Sequence, residues 1–283
     1  MRQVRDAFSR LPDRGLGSLP RGCWVAATIT VALVVVLGIW LFRRAFPEAV
    51  DPTWERIVES GTLRVCTDPS WPPFEFVDET TAGIEGFDIE LAQLLAARLG
   101  PGIQAKVVTV GFDGLYDALL SGRCDAVISA LPYEPMRTQD VSFSIAYFNA
   151  GLVLVASEYT TDIEKVDDLE DLVAGVEWGF VPEGSAQQRV LLSGLGLRRY
   201  DTTEDVLRAL QTGEIEAALV DRISALAYVR ECEGLKLSGA PLTDVNYVIP
   251  VRLDAFHLLE ETNRALLEMR EEGTLDALEN RWF

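Results

Sequence analysis

The chain has 283 residues, 48% of them apolar and 24% charged, with 22 Gly and 13 Pro. That excludes a disordered, low-complexity or collagen-like chain and suffices for one large domain or two lobes with their own cores. The net charge of −19 argues against a nucleic-acid binder, and one His with four Cys leaves little material for a metal centre or Cys/His catalysis.

The charge is unevenly spread. Residues 1–44 carry seven basic and two acidic side chains, so the rest of the chain carries a net charge of −24. From Trp24 to Phe42 the chain runs 19 residues without a charge. As a helix this would span about 28 Å, close to the hydrocarbon thickness of a bilayer. It is longer than a signal h-region, and Arg43, Arg44, Ala45, Phe46 and Pro47 offer no small-residue cleavage site. The expectation is an uncleaved signal anchor over 24–42. Residues 1–23 form a cytoplasmic segment rich in Arg, 43–54 a linker, and the remainder lies outside a bacterial cytoplasmic membrane as a single-pass protein.

After the linker, strand and helix signals alternate. Residues 63–66 and 105–110 read as strands. Residues 88–99 read as a helix, with Asp88 as N-cap, Leu91, Leu95 and Leu99 on one face, and Gly100 as the stop. Residues 114–129 read as helix, Gly turn and apolar strand, and the pattern returns at 205–220, with Gly213 matching Gly122 and Ala217 matching Ala126. Any helix–Gly–strand unit converges on such a pattern, but two copies suggest two similarly built α/β lobes. The unalternated strands 126–129 and 217–220 fit sheets covered on both faces. In open α/β sheets ligands sit beyond the carboxyl ends of strands. Ala130 and Asp221 stand at those ends, one in each lobe. A helix over 255–272 starts near His257, a surface or capping residue, and its Leu259, Thr262, Leu266 and Met269 stripe reads as core.

Residues 61–76 (GTLRVCTDPSWPPFEF), 83–100, 111–148, 213–221 (GEIEAALVD) and 271–283 (EEGTLDALENRWF), in this order and spacing, resemble family 3 solute-binding proteins. These are extracytoplasmic receptors of polar amino-acid ABC importers. The resemblance implies the type 2 periplasmic-binding-protein-like fold, two α/β lobes that close on a ligand about two hinge strands. One lobe would be 55–148 with 248–283 and the other 149–247, with hinges near 149–152 and 246–249.

The resemblance also implies ligand-binding roles. Arg137 would fork onto an α-carboxylate, as a planar guanidinium can, and Asp221 would hold an α-ammonium. A surface Arg and a helix N-cap are the plainer alternatives. Asp68 and Trp71 would meet the ligand side chain, or form a turn with a packed aromatic. Phe74 and Phe112 fall at aromatic cleft positions, or in the core. Ala130 lies in the loop that meets the ligand. Gly184-Ser185 would start a helix whose N–H groups face the carboxylate, with Gly179-Phe180 as the alternative. The chain departs from the family at Pro132, where Ser or Thr is usual; proline offers neither N–H nor hydroxyl. On this topology Cys66 and Cys124 fall on neighbouring strands, offset by about four residues, or roughly 13 Å. Free, buried thiols are expected.

The function implied is capture of a small zwitterion, a polar amino acid, for delivery to an ABC permease, with no catalytic residues, no cofactor, no metal and no nucleic-acid partner. The alternatives are an enzyme on the same fold resembling cyclohexadienyl dehydratase, with Glu134 or Glu183 as general acid, and a membrane-tethered sensor. Fold alone does not separate them.

Overall fold

The computed structural model describes residues 32, 33, 35–38, 50–179 and 196–283. The chain divides into two compact units, Met1–Val50 and Asp51–Phe283. In the first, residues 32–33 and 35–38 are helical and expose Leu33, Val35, Val36 and Leu37. Among the described residues no helix is long and apolar enough to cross a membrane. Most of the expected 24–42 anchor lies outside them.

The second unit begins with α1 (Pro52–Ser60), whose start is fixed by Asp51. One oxygen of Asp51 accepts the Trp54 N–H at 2.8 Å, and the other accepts those of His257 and Leu258. One carboxylate therefore caps two helices, a stabilising arrangement because helix N-termini carry unpaired N–H groups and partial positive charge. His257 packs edge-on against Trp54.

The chain then builds β1 (Thr62–Thr67), the short β2 (Ser70–Trp71), β3 (Glu75–Val77) and β4 (Ile84–Glu85). Next come α2 (Phe87–Leu99), β5 (Gln104–Thr109), α3 (Leu115–Leu120), β6 (Ala126–Val127) and β7 (Val141–Phe143). It leaves through β8 (Phe148–Asn149). The second lobe holds β9 (Leu152–Ser157), β10 (Val173–Glu177), β11 (Gly196–Tyr200), α4 (Thr203–Gln211), β12 (Ala217–Asp221), α5 (Arg222–Glu231) and β13 (Leu235–Ser238). The chain returns through β14 (Asn246–Tyr247) and ends in β15 (Pro250–Arg252), α6 (Phe256–Glu271) and α7 (Thr274–Trp282).

Two five-stranded sheets result, ordered β5-β1-β6-β15-β7 and β11-β10-β12-β9-β13. In each, the first three strands are parallel and the last two antiparallel to a neighbour. The lobes share this architecture because each carries the helix–Gly–strand unit seen in the sequence. Between the sheets, β8 and β14 pair as an antiparallel two-stranded ribbon, Phe148 opposite Tyr247 and Asn149 opposite Asn246. The first-lobe core centres on Phe74, Phe87, Phe148, Tyr247 and Phe283, mostly in edge-to-face contact. Val153, Val155, Val206, Leu210, Ile215 and Val220 fill the second.

Two expectations are corrected. Cys66 and Cys124 form a disulfide, with Cα atoms 5.7 Å apart. The 13 Å estimate treated Cys124 as extended strand, but β6 begins only at Ala126, opposite Val65. Cys124 lies in the turn that brings the chain from α3, where a rise per residue of strand does not apply. Both cysteines are fully buried among Leu115, Leu119 and Val127. Asp88 is not a cap: α2 starts one residue earlier, after Gly86, with no side-chain cap bond. The Asp88 carboxyl turns inward and is fully buried.

Candidate functional site

A cavity of about 380 Å³ lies where β1 and β6 end against the β8–β14 ribbon. Its lining comes from both parallel strand ends (Asp68, Ser129, Ala130, Pro132), from the β2–β3 region (Ser70, Trp71, Glu75), from Phe112, and from Val245 and Tyr247 of the returning crossover. This is the carboxyl edge of the first sheet, as expected for an open α/β sheet. The size falls within the range of small-molecule sites.

Hydrogen bonds fix the polar groups of this wall. Asp68 accepts the Phe112 N–H through Oδ2 at 2.7 Å, and its own N–H donates to Ser129 Oγ at 3.0 Å. Ser129 Oγ donates in turn to Glu75 Oε1 at 2.8 Å. Ala130 takes a left-handed conformation, φ 43°, unusual for a residue with a Cβ, and its N–H donates to Asp88 Oδ2 at 2.6 Å. Tyr147 Oη donates to the same oxygen at 3.0 Å. Trp71 and Phe112 are 55% and 52% exposed, so two aromatic faces stand open beside the Asp68 carboxylate. Among the described lining residues there is no Lys, Arg or His.

Burial, then the neighbouring Asp88 charge, pushes the Glu75 carboxyl far above the usual carboxylate range. Burial also raises Asp88, opposed by the bonds from Ala130, Glu75 and Tyr147. Tyr247 is pushed up to about 12 by burial and by the charges of Asp88, Asp221 and Glu75.

The structure brings Asp68, Trp71, Phe112 and Ala130 together in the cavity. Phe74 is not among its lining: it is 0% exposed, ringed by Phe87, Phe148, Tyr247 and Phe283, because the turn between β2 and β3 directs it into the core. Arg137 also stands outside the lining. Its guanidinium lies 4.6 Å over the Tyr116 ring and within 4.0 Å of Glu134 and 3.8 Å of Asp140. Asp221 caps α5, accepting the Ser224 N–H at 2.7 Å. Its charge reaches Tyr247, which lines the cavity. Glu134 accepts the Tyr116 hydroxyl at 3.3 Å. Ser185, Phe180 and Glu183 lie outside the described residues.

Pro132 bridges to Tyr247 of the ribbon. The bonds there run through its neighbours: Tyr133 N–H to Asn246 O at 2.8 Å and Val248 N–H to Leu131 O at 3.0 Å. Proline is thus placed where no ladder donor is required. Glu75, Ser129 and Tyr247 are lining residues that sequence reasoning passed over. Glu75 stands in the PPFEF motif and Tyr247 within the expected hinge, so position alone marked both without revealing their direction.

The chain's relatives agree with this geometry. Residues 63–283 match the family described as bacterial extracellular solute-binding proteins, family 3. The L-cystine-binding protein TcyJ of Escherichia coli is 32% identical over 257 residues, covering 90% of this chain and 92% of that protein. The arginine-binding extracellular protein ArtP of Bacillus subtilis is 29% identical, covering 80% and 88%. Among solved structures, an ancestral cationic amino acid solute-binding protein is 28% identical with a TM-score of 0.56, covering 82% of this chain and 99% of that one. An ancestral cyclohexadienyl dehydratase superposes with a TM-score of 0.71 at 21% identity, covering 83% and 97%, a likeness of fold. With residues 63–283 matched and a relative 32% identical over 90% of the chain, the protein belongs to family 3 of the bacterial extracellular solute-binding proteins.

Proposed function

We propose that this protein captures a small amino acid with a positively charged end in the cavity at the hinge and hands it to an ABC permease. The observation that carries this is the make-up of the wall: one carboxylate, Asp68, stands between two exposed aromatic faces, Trp71 and Phe112, with no basic lining residue among those described. A cation gains there from charge and from the ring faces together. The name of one relative points the same way, since arginine carries a guanidinium.

On this reading Asp68, Trp71, Phe112 and Ala130 hold the ligand from the first lobe. Arg137 from the first lobe and Asp221 from the second are its zwitterion partners once the lobes close on the ligand, and Ser185 is assigned to the second-lobe side. Phe74 serves as core. We assign no chemistry to the cavity: Glu134, the carboxyl of a dehydratase reading, is engaged with Tyr116 and Arg137 outside the lining. We also assign residues 24–42 the role of a membrane anchor that keeps the binding unit at the outer face of the cytoplasmic membrane. The apolar 24–42 run and the Arg-rich 1–23 segment support this.

Calorimetry on the full chain in mild detergent tests the reading, with L-arginine, L-lysine, L-cystine, L-histidine and L-glutamine as titrants. Saturable 1:1 binding is expected for a ligand with a positively charged end, with L-glutamine weaker. Absence of heat for every titrant, or preference for L-glutamine, overturns it.

A further inference from the structure

Beneath the cavity, Glu75 and Asp88 are 1% and 0% exposed, and their carboxyls accept from the consecutive residues Ser129 and Ala130. The two acids come from different elements, β3 and α2. The donors around them are accounted for: Ser129 Oγ serves Glu75 Oε1, while the Ala130 N–H and Tyr147 Oη serve Asp88 Oδ2. The other oxygen of each carboxyl, Glu75 Oε2 and Asp88 Oδ1, is buried and has no donor from elsewhere in the described residues. No basic side chain among the described residues pairs with either. The titratable groups that face the pair are Asp68 beside Glu75, Tyr147 bonded to Asp88, and Tyr247 across the ribbon. Every one of these is an acid.

Two neighbouring buried carboxylates with no cation repel each other and lack solvation, an arrangement a fold does not tolerate. One proton between them removes one charge and supplies the missing donor. We propose that Glu75 and Asp88 share a single proton in the folded protein, Glu75 as carboxyl and Asp88 as carboxylate, and that this pair is the positioning element of the binding cavity.

Its reach follows from the bonds. The carboxylate holds the Ala130 N–H and so fixes the left-handed turn there. The carboxyl holds Ser129 Oγ, which holds the Asp68 backbone. Three lining positions on two strands are thus set by one proton, and the floor carries one negative charge rather than two. The direction of the Glu75 shift agrees with this assignment.

The test needs no ligand, so its failure is separate from failure of the amino-acid reading. A Glu75 that is protonated when folded and ionised when unfolded makes folding take up a proton. Stability from this group is fully present below the ordinary Glu value and is lost as pH rises towards the folded value. For one proton the unfolding constant therefore grows about tenfold per pH unit. In Glu75→Gln the amide donates to Asp88 as the carboxyl did, and the proton of residue 75 is no longer taken up; any uptake at the buried Asp88 is common to both proteins. Denaturant unfolding of the full chain between pH 6 and pH 8 should show wild type losing ground to Glu75→Gln by roughly tenfold in the unfolding constant per unit. Parallel profiles overturn the proposal.

If Glu75→Gln does not fold, wild type alone decides. Infrared spectra in heavy water at pH 8, where ordinary carboxyls are ionised, should retain a protonated-carboxyl C=O stretch, and its absence overturns the proposal.

Discussion

Asp68 and Phe112 are locked together at the mouth of the cavity: the carboxylate Oδ2 accepts the Phe112 backbone N–H at 2.7 Å. The bond uses one oxygen and leaves the charge beside the exposed Phe112 and Trp71 rings. Asn at this position can still accept that N–H, so Asp68→Asn removes the charge and keeps the loop. We expect it to weaken L-arginine binding by at least tenfold, about 1.4 kcal/mol, with a much smaller loss for L-glutamine. Calorimetry with both ligands checks this, and an equal loss for the two would mean that Asp68 does not meet the cationic end.

Arg137 and Asp221 are held in place without a ligand, one stacked on Tyr116 and the other capping α5. A ligand carboxylate and ammonium stripped of water each need a counter-charge, and removing one partner typically costs about 2–5 kcal/mol. Arg137→Ala and Asp221→Asn should each weaken the best ligand by roughly thirtyfold or more. Asn caps helices as well as Asp does, so Asp221→Asn should leave the ligand-free melting midpoint unchanged. Binding within threefold of wild type in either variant means the clamp does not operate.

The Cys66–Cys124 disulfide closes a loop with a sequence separation of 58 residues. It ties β1, which leads to Asp68, to the turn before β6, which leads to Ala130. Native disulfides of this kind add about 2–4 kcal/mol, largely by restricting the unfolded chain. Cys66→Ala with Cys124→Ala should lower unfolding stability by that amount under oxidising conditions. An unchanged denaturant midpoint would show that the bond is not formed in solution. A buried disulfide also fits a protein that works outside the cytoplasm, where disulfides persist.

Residues 24–42 predict membrane retention. After alkaline carbonate washing, the protein should stay with the membrane and keep its first residues. Recovery of a soluble chain beginning near residue 50 is the outcome that removes the anchor.

What the sequence could and could not show follows from the range of each interaction. The repeated helix–Gly–strand unit is local, and both copies form a helix, a Gly turn and a strand; Asp221 ends β12, while the first strand covers 126–127 rather than 126–129, so Ala130 stands past it. The site positions of Asp68 and Trp71 were legible only through the resemblance to the family; their residue types alone read equally as a turn with a packed aromatic. Direction was not legible. Phe74, the last turn residue before β3, enters the core, while Glu75, the first residue of β3, lines the cavity, and neither residue type reveals which way it faces. Asp88 matches a helix cap in sequence and is claimed instead by the Ala130 N–H, 42 positions away. Cys124 looked out of reach because a turn was read as strand.

The last prediction concerns the hinge. Asn149 stitches the two crossovers together: its Oδ1 accepts the N–H groups of Gly151 at 2.8 Å and Val245 at 3.2 Å, and its Nδ2 donates to Asp244 Oδ1 at 3.0 Å. Gly151 is required there by space: a Cβ would stand 1.8 Å from the Thr243 carbonyl oxygen, which as backbone has nowhere to go. The two crossovers are therefore tied together, and on the proposed closure these few residues carry the bend. Saturating ligand should contract the radius of gyration of the 51–283 unit in small-angle scattering, with no loss of helix by circular dichroism. Asn149→Ala removes bonds worth about 1 kcal/mol each and should lower stability by about 1–3 kcal/mol. Gly151→Ala should do more damage, since it forces the strands apart, and should weaken ligand binding even where the protein still folds. Wild-type stability and affinity in Gly151→Ala would mean that the two crossovers do not move as a unit.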